Sequence, residues 1–472
     1  MGYLARAEKI LIDTAWLSMG YATYNRLPTG ICYAGEDHPA DVELLYDVTY
    51  IDAEGNRQVE QQIFDALFAT ISRAKSLLIL DFFLFNDFQG AVRETTRDLC
   101  GELAAALIEK RQSQPDINIL FITDPINTIY GGAENPYINQ LLAAGIEVIT
   151  TDLDQLRDSN PLYSFFWRLL ARPFGNRSNG LWPTPFSDEK ITLRSYLRLF
   201  NLKANHRKTL IADDGNNGWT GMVLTGNPHN GSSAHRNLAL RFTGDAVNDL
   251  YISERAVLEM CRHDIPATDL TTTAVKSDCM LQVLTEKKIK LAVLDILDRA
   301  KALDAIDMIL FYLSDRDVIK AIQRAHNRGV LLRIILDPNK DAFGMRKIGI
   351  PNRPVAHDLN DAGIPIRWAD THGEQCHSKL MMYRDPAGPA KLLLGSANFT
   401  RRNLNDFNLE TDVLVSGSID TPALSQCHQL FERLWHNEQD QNFSTHYEWY
   451  ADQGRLRYWL YRFMETTGIS TF

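Results

Sequence analysis

The chain carries the same order of elements twice. Residues 61–85 (QQIFDALFATISRAKSLLILDFFLF) and 287–313 (KKIKLAVLDILDRAKALDAIDMILFYL) each pass from apolar spacings of three and four into an unbroken apolar run. That pattern predicts an amphipathic helix followed by a buried strand. A further helix follows in each copy, ETTRDLCGELAAALIEK and RDVIKAIQRAHNRG, and then a strand ending at Asp-Pro, with Asp124 in INILFITDP and Asp337 in LLRIILDP. The next pair, NPYINQLLAAGIEVITT and NRPVAHDLNDAGIPIRWA, adds a helix and a strand, and both helices close on Ala-Gly-Ile. Glycine there suits the left-handed residue just past a helix end. Strands alternating with helices predict an α/β fold: two tandem α/β/α sandwich halves related by internal duplication, each with a parallel or mixed sheet. The halves are expected at 1–262 and 279–472, with a linker over 263–278 marked by Pro266 and a Thr-rich stretch. Asp124 to His206 is 82 residues but Asp337 to His377 is 40, so the first half holds an insertion of about 42, roughly 154–199.

Each copy ends in the same polar constellation. The first reads His206-Arg207-Lys208 with Asp213 after it, the second His377-Ser378-Lys379 with Arg384 at the corresponding place and Asp385 one later. Both triplets are followed after 21 residues by an asparagine, Asn227 and Asn398, and after ten more by another, Asn237 and Asn408. Thr225 and Ser396 precede the first of these asparagines by two residues. In a strand, residues i and i+2 face the same side, so the His and Lys of each triplet project together. One such triplet carries little information; two, on paired repeats, describe a single site with two imidazoles, two ammonium groups and two carboxamides around one anion. Lys208, Lys379, Asn227 and Asn398 suit the non-bridging oxygens of a phosphodiester. One histidine can attack phosphorus while the other protonates the leaving oxygen. No metal or other cofactor is required by this arrangement.

The remaining sequence bears on the partner. The formal charge of −10 and a pI near 5.7 argue against a nucleic-acid partner. Six cysteines without ligand-like spacing read as thiols of a reducing, cytoplasmic compartment. The apolar stretch from Ile10 to Ala22 is interrupted by Asp13, and no run is long enough to span a bilayer, which leaves peripheral membrane contact. Residues 156–208 hold ten Lys/Arg against three Asp/Glu and are crowded with aromatics. Three readings fit them: a membrane interface, a platform for single-stranded nucleic acid, or a core helix with a solvated face. The aromatic and arginine-rich stretch from Tyr447 to Phe463 fits an interfacial helix or one packed on the body of the protein.

HxKxxxxD, complete in the first copy, and GSxN, complete in the second, together with the duplication, resemble the phospholipase D superfamily, including cardiolipin synthases, phosphatidylserine synthases and some nucleases. The resemblance spans roughly Glu43 to Leu434. It implies one shared active site at the interface of the halves and a covalent phosphohistidine, with His206 as nucleophile and His377 as general acid/base. It further implies catalytic roles for Lys208, Asp213 and Lys379, and substrate-side roles for Asn227, Asn398, Ser396, Thr225 and Glu410. Three positions depart from the pattern. Arg384 stands where the family has Asp, TGN replaces GSxN in the first copy, and Ala239 stands where the spacing puts the counterpart of Glu410; Glu410 is therefore expected to orient one histidine, across the interface onto His206. The implied substrate is a glycerophospholipid met at a membrane surface, hydrolysed or transferred to an alcohol. The alternatives are a nuclease of the same superfamily and an inactive lipid- or phosphate-binding module.

Overall fold

The computed structural model describes residues 27–89, 96–178, 180–184, 190–215, 218–263, 270, 272, 275–342, 345–470 and 472. Pro266 with most of the expected linker, and the stretch Ile10–Ala22, lie outside the described residues. Two large sheets carry the fold. The first contains Asp41–Ile51 (β1), Arg57–Glu60 (β2), Leu77–Phe82 (β3), Asn118–Thr123 (β4), Glu147–Thr150 (β5), Lys208–Asp213 (β6), Trp219–Leu224 (β7) and Asn237–Thr243 (β8), in the order β2-β1-β8-β7-β6-β3-β4-β5. The second contains Met280–Thr285 (β9), Ala305–Leu310 (β10), Leu331–Leu336 (β11), Ile366–Ala369 (β12), Lys379–Arg384 (β13), Ala390–Gly395 (β14), Thr411–Gly417 (β15) and Ser444–His446 (β16), in the order β9-β15-β14-β13-β10-β11-β12-β16. The two-residue strand His38–Pro39 pairs with the outer edge of β9. Seven strands therefore match one for one, β1-β8-β7-β6-β3-β4-β5 against β9-β15-β14-β13-β10-β11-β12. The three strands at one side of each set are parallel and the others antiparallel, a mixed sheet made by duplication.

The helices lie where the periodicity places them. Ile63–Arg73 (α1), Leu99–Ser113 (α2) and Pro136–Ala143 (α3) serve the first sheet. Its insertion carries Pro161–Leu170 (α4) and Leu193–Leu199 (α5), and Ala246–Met260 (α6) follows β8. The second half has Lys287–Arg299 (α7), Arg316–Asn327 (α8), Asn352–Asp361 (α9), Pro422–His436 (α10) and Arg455–Thr467 (α11). Gly145 and Gly363 end α3 and α9 at φ +73° and +86°. In both turns the next amide closes back onto the helix, Ile146 N–H to Leu141 C=O and Ile364 N–H to Leu359 C=O. This is the ending that Ala-Gly-Ile predicts.

Alternation along the strands sorts the core into layers. Leu78, Leu80 and Phe82 of β3 face α1 and α2, while Leu77 and Ile79 face the middle of the molecule. That middle layer is shared. Ile211, Val223 and Leu240 of the first sheet, Leu380, Leu394 and Val413 of the second, and α6 and α10 form one buried apolar cluster. The two halves thus lie back to back over a common core, which fixes how β6 and β13 present their leading ends.

Sheet register corrects one sequence equivalence. Leu224 of β7 pairs with Ala239, whereas Gly395 of β14 pairs with Asp412. Leu224 and Gly395 stand at the same distance from their triplets, so Asn237 corresponds to Glu410, and Ala239 to Asp412. The equal spacing of Asn237 and Asn408 is coincidental. The second copy has two extra residues in the connecting loop, where Arg401–Leu404 forms a short helical turn.

Candidate active site

Both triplets are locked by backbone bonds across the interface. His206 N–H donates to Leu409 C=O at 2.9 Å, and His377 N–H donates to Arg236 C=O at 2.9 Å. Asn205 and Leu409, and Arg236 and Cys376, form matching isolated parallel bridges. Regular strand begins at Lys208 and Lys379, so each histidine sits on the extended segment just ahead of it rather than inside it. The duplicated Asp-Pro acids anchor these segments: Asp124 accepts from Asn205 N–H at 2.7 Å and Asp337 from Cys376 N–H at 2.8 Å. Nothing in sequence assigned them that task, although their exact repetition marked them.

Behind each imidazole stands a hydrogen-bond acceptor from the other half. His206 Nδ1 lies 3.0 Å from Glu410 Oε2. Glu410 is fully buried and also accepts from Ser396 Oγ and Asn403 Nδ2. His377 Nδ1 lies 3.2 Å from Asn237 Oδ1, which accepts from Thr225 Oγ1 at 3.0 Å. An acceptor at Nδ1 assigns the proton to that nitrogen and leaves Nε2 with its lone pair. The two histidines are held alike but backed differently, His206 by a carboxylate and His377 by an amide. Burial lowers the pKa of His206 to about 4 even though Glu410 pulls it upward. His377 falls well below the ordinary value, through burial and then the positive charge of Lys379. Burial would raise the pKa of Glu410, but the charges of His206 and Lys208 and its hydrogen bonds bring it below the usual carboxylate value, so it is ionised.

This asymmetry makes a prediction. Asn237→Asp supplies the missing carboxylate and should raise the proton affinity of His377, moving the alkaline limb of kcat/KM upward by about one pH unit. The acid limb, set by His206, should stay in place. A pH–rate profile of the two proteins checks both limbs.

Lys208 Nζ and Lys379 Nζ donate back to the carbonyls of His206 and His377 at 2.5 and 2.7 Å. Each ammonium also lies over a phenyl ring, Lys208 on Phe83 at 5.3 Å and Lys379 on Phe311 at 5.2 Å. The same rings touch the histidines, Phe83 with His206 and Phe311 with His377, both at 4.9 Å between centroids. Phe83 and Phe311 were missed by motif reading; their signal is that both immediately follow the duplicated strands β3 and β10. Burial brings Lys208 to about 7, and Lys379 drops well below the ordinary lysine value through burial and the charge of Lys208. Burial and, for Lys379, the charge of Lys208 outweigh the nearby Glu410 carboxylate, which favours both ammonium forms. Asn227 Oδ1 accepts from Leu84 N–H at 3.1 Å, and Asn398 Oδ1 is buried with no partner among the described residues.

His206, His377, Asn227, Asn237 and Asn398 all line one cavity of about 530 Å³. Its walls are largely apolar: Leu84, Phe88, Ile126, Ile129, Leu199, Phe200, Leu202, Met345 and Phe472, with Tyr130, Tyr196 and Tyr312. Lys203, Lys347 and Arg402 also line it, with Lys203 paired to Asp158.

Four expected roles are corrected. Asp213 is not at the site: it ends β6, at the opposite end from Lys208, and its carboxylate accepts from the amides of Lys75, Ser76 and Leu77 at 2.8–3.1 Å. Burial would raise its pKa, but these amides bring it below the ordinary value. Asp213→Ala should therefore cost about 1–3 kcal/mol of stability, read by urea unfolding, with turnover per folded molecule unchanged. Thr225, Ser396 and Glu410 do not line the cavity; the first braces Asn237 and the other two brace His206. At the second copy, Arg384 pairs with Asp307 at 2.7 Å instead of capping a turn. Asp307, His428 and Glu432 stand close enough to share an ion. Arg333 and Arg384 already occupy the Asp307 carboxylate, at 2.7–3.0 Å.

Residues 293–435 match the family model described as cardiolipin synthase, PLD-like domain. Among solved structures the chain is similar to phosphatidylserine synthase from Haemophilus influenzae, with 9% identity, 95% of this chain and 98% of that one covered, and a TM-score of 0.56. It is also similar to Nuc, a phospholipase D family member from Salmonella typhimurium, with 22% identity over 35% of this chain and 97% of that one, TM-score 0.28. A polyphosphate kinase from Porphyromonas gingivalis aligns at 13% identity over 91% of this chain and 54% of that one, TM-score 0.47. No curated protein matches the sequence. The likeness to the synthase shows the fold across both halves, and the family model covers most of the second. The second half thus resembles the cardiolipin synthase, PLD-like domain in sequence, and the whole chain shares the fold of the synthase.

Proposed function

We propose that this protein cleaves or transfers the phosphodiester of a glycerophospholipid through a phosphohistidine. The observation that carries the reading is the cavity itself: two imidazoles, each with Nδ1 tied behind it, at the floor of a pocket whose walls are apolar. Apolar walls suit the glyceride and acyl portion of a lipid, whereas a nucleic-acid strand calls for a basic, solvated groove. His206 Nε2 attacks phosphorus and the bond to the leaving alcohol breaks; His377, protonated at Nε2 once the phosphate anion enters and offsets the charge of Lys379, supplies the proton to the leaving oxygen. Water or an alcohol, deprotonated by His377, then attacks phosphorus and the P–N bond breaks, which restores neutral His206. Lys208, Lys379, Asn227 and Asn398 hold the non-bridging oxygens and stabilise the charge that builds on them.

The test is incubation with vesicles of phosphatidylglycerol and phosphatidylethanolamine in EDTA, with lipid products read by mass spectrometry. An exchanged phospholipid marks transfer and phosphatidic acid alone marks hydrolysis. Absence of lipid turnover with every acceptor tried, together with cleavage of nucleic acid, would sink the lipid reading.

A further inference from the structure

Two helices of this protein are turned inside out. In α4, Leu162, Phe165, Phe166 and Leu169 recur at the spacing of one helical face, yet they are 40–72% exposed while Ser164 and Trp167 are buried. In α11, Leu456, Trp459, Leu460 and Phe463 repeat the same spacing at 40–84% exposure, while Tyr461 and Glu465 face the body. An amphipathic helix on a water-facing surface normally buries this stripe. Here the outward faces are apolar, and exposed apolar area of this extent marks a binding surface.

The two helices share an origin beside the cavity. Gly468, at the end of α11, approaches the Ser159 carbonyl so closely that a Cβ would lie 2.0 Å from that oxygen, and Asn160 caps the start of α4. The segments that continue from them reach the cavity wall: Leu199 and Phe200 at the end of α5 in the insertion, and Phe472 after α11.

We propose that α4 and α11 together form a docking face for an anionic lipid bilayer, set at the mouth of the cavity. This rests on the lipid reading of the cavity only for what the docked surface delivers. The charge distribution selects the occupant. Arg172 and Arg177 follow α4 and Arg455 and Arg457 lie on α11, all four exposed, in a chain of net charge −10. Leucine and aromatic side chains between exposed arginines match headgroup depth, with rings and alkyl groups below and cations above. No described helix is long and apolar enough to cross a membrane; these two, at 10 and 13 residues, are suited to lying on one.

The test uses the whole chain and vesicle flotation, with phosphatidylglycerol mixed into phosphatidylcholine and phosphatidylcholine alone as probes. Leu162→Ser with Leu169→Ser, and Leu456→Ser with Trp459→Ser, each remove two exposed apolar side chains and leave the buried face intact. Each pair should weaken partition to anionic vesicles by at least about tenfold, and added salt should weaken the parent only in part. Melting temperature and turnover of monomeric short-chain phosphatidylglycerol should match the parent. Vesicle binding lost on cue while neither protein turns over any lipid supports the docking face and removes the lipid reading. Unchanged vesicle binding in both variants overturns the proposal, as does a parent that self-associates and variants that become monomers, since the face would then belong to a second copy.

Discussion

His206→Ala should abolish turnover, by at least about 10⁴-fold, and should leave no phosphorus on the protein. His377→Ala should differ in kind. With a diester of a good leaving alcohol such as p-nitrophenol, departure needs no proton, so attack by His206 still proceeds. The second step lacks its base, and the adduct accumulates. Acid quenching is unsuitable because a phosphoramidate is acid-labile; alkaline quenching with a labelled diester reads the adduct directly. Label on His377→Ala but not on His206→Ala assigns the nucleophile. The reverse pattern exchanges the roles. The hydrogen bonds favour the stated order: Glu410 offsets the positive charge that His206 acquires when Nε2 bonds to phosphorus, whereas Asn237 offers His377 only a dipole.

The second large effect concerns a buried charge. Lys208 is fully buried, with a pKa brought from the ordinary lysine value to about 7. The unfolded chain then binds more protons than the folded one between about pH 7 and pH 10.4, so stability rises with pH across that window. Below pH 7 the folded protein carries the whole desolvation cost, of the order of a few kcal/mol. Lys208→Met keeps the volume and removes the charge. At pH 6–7 it should melt several degrees above the parent, an advantage that disappears toward pH 10. Inorganic phosphate or vanadate should stabilise the parent by restoring a counter-charge, and should do nothing for the variant. Turnover should fall by about 10²–10³-fold, the cost of one donor to the developing charge. A Lys208→Met protein that melts lower than the parent at every pH would show that the ammonium is not under strain.

Both predictions turn on contacts that join distant parts of the chain. His206 and Glu410 are 204 residues apart, and His377 and Asn237 are 140 apart. The expectation that Glu410 reaches across to His206 matches the contact found, but equal spacing named the wrong counterpart for it. Spacing counts residues, and a two-residue loop extension is invisible until strand register is known. Asp213 was misplaced for a related reason: a motif shows that a residue recurs, not which end of the strand faces the pocket.

The sequence by itself determined the duplication, the order of strands and helices in each half, the left-handed glycines that end α3 and α9, and the two histidine–lysine pairs. All of these are written in local periodicity, cap chemistry and residue type, which need no knowledge of the partner surface. Only the tertiary structure decided that the halves share one core, that His377 is backed by an amide rather than a carboxylate, and that Phe83 and Phe311 pack beneath the paired charges. It also decided the direction of the apolar stripes on α4 and α11. Helical periodicity defines a stripe but not which way it faces, and that depends on which side of the helix meets the rest of the protein.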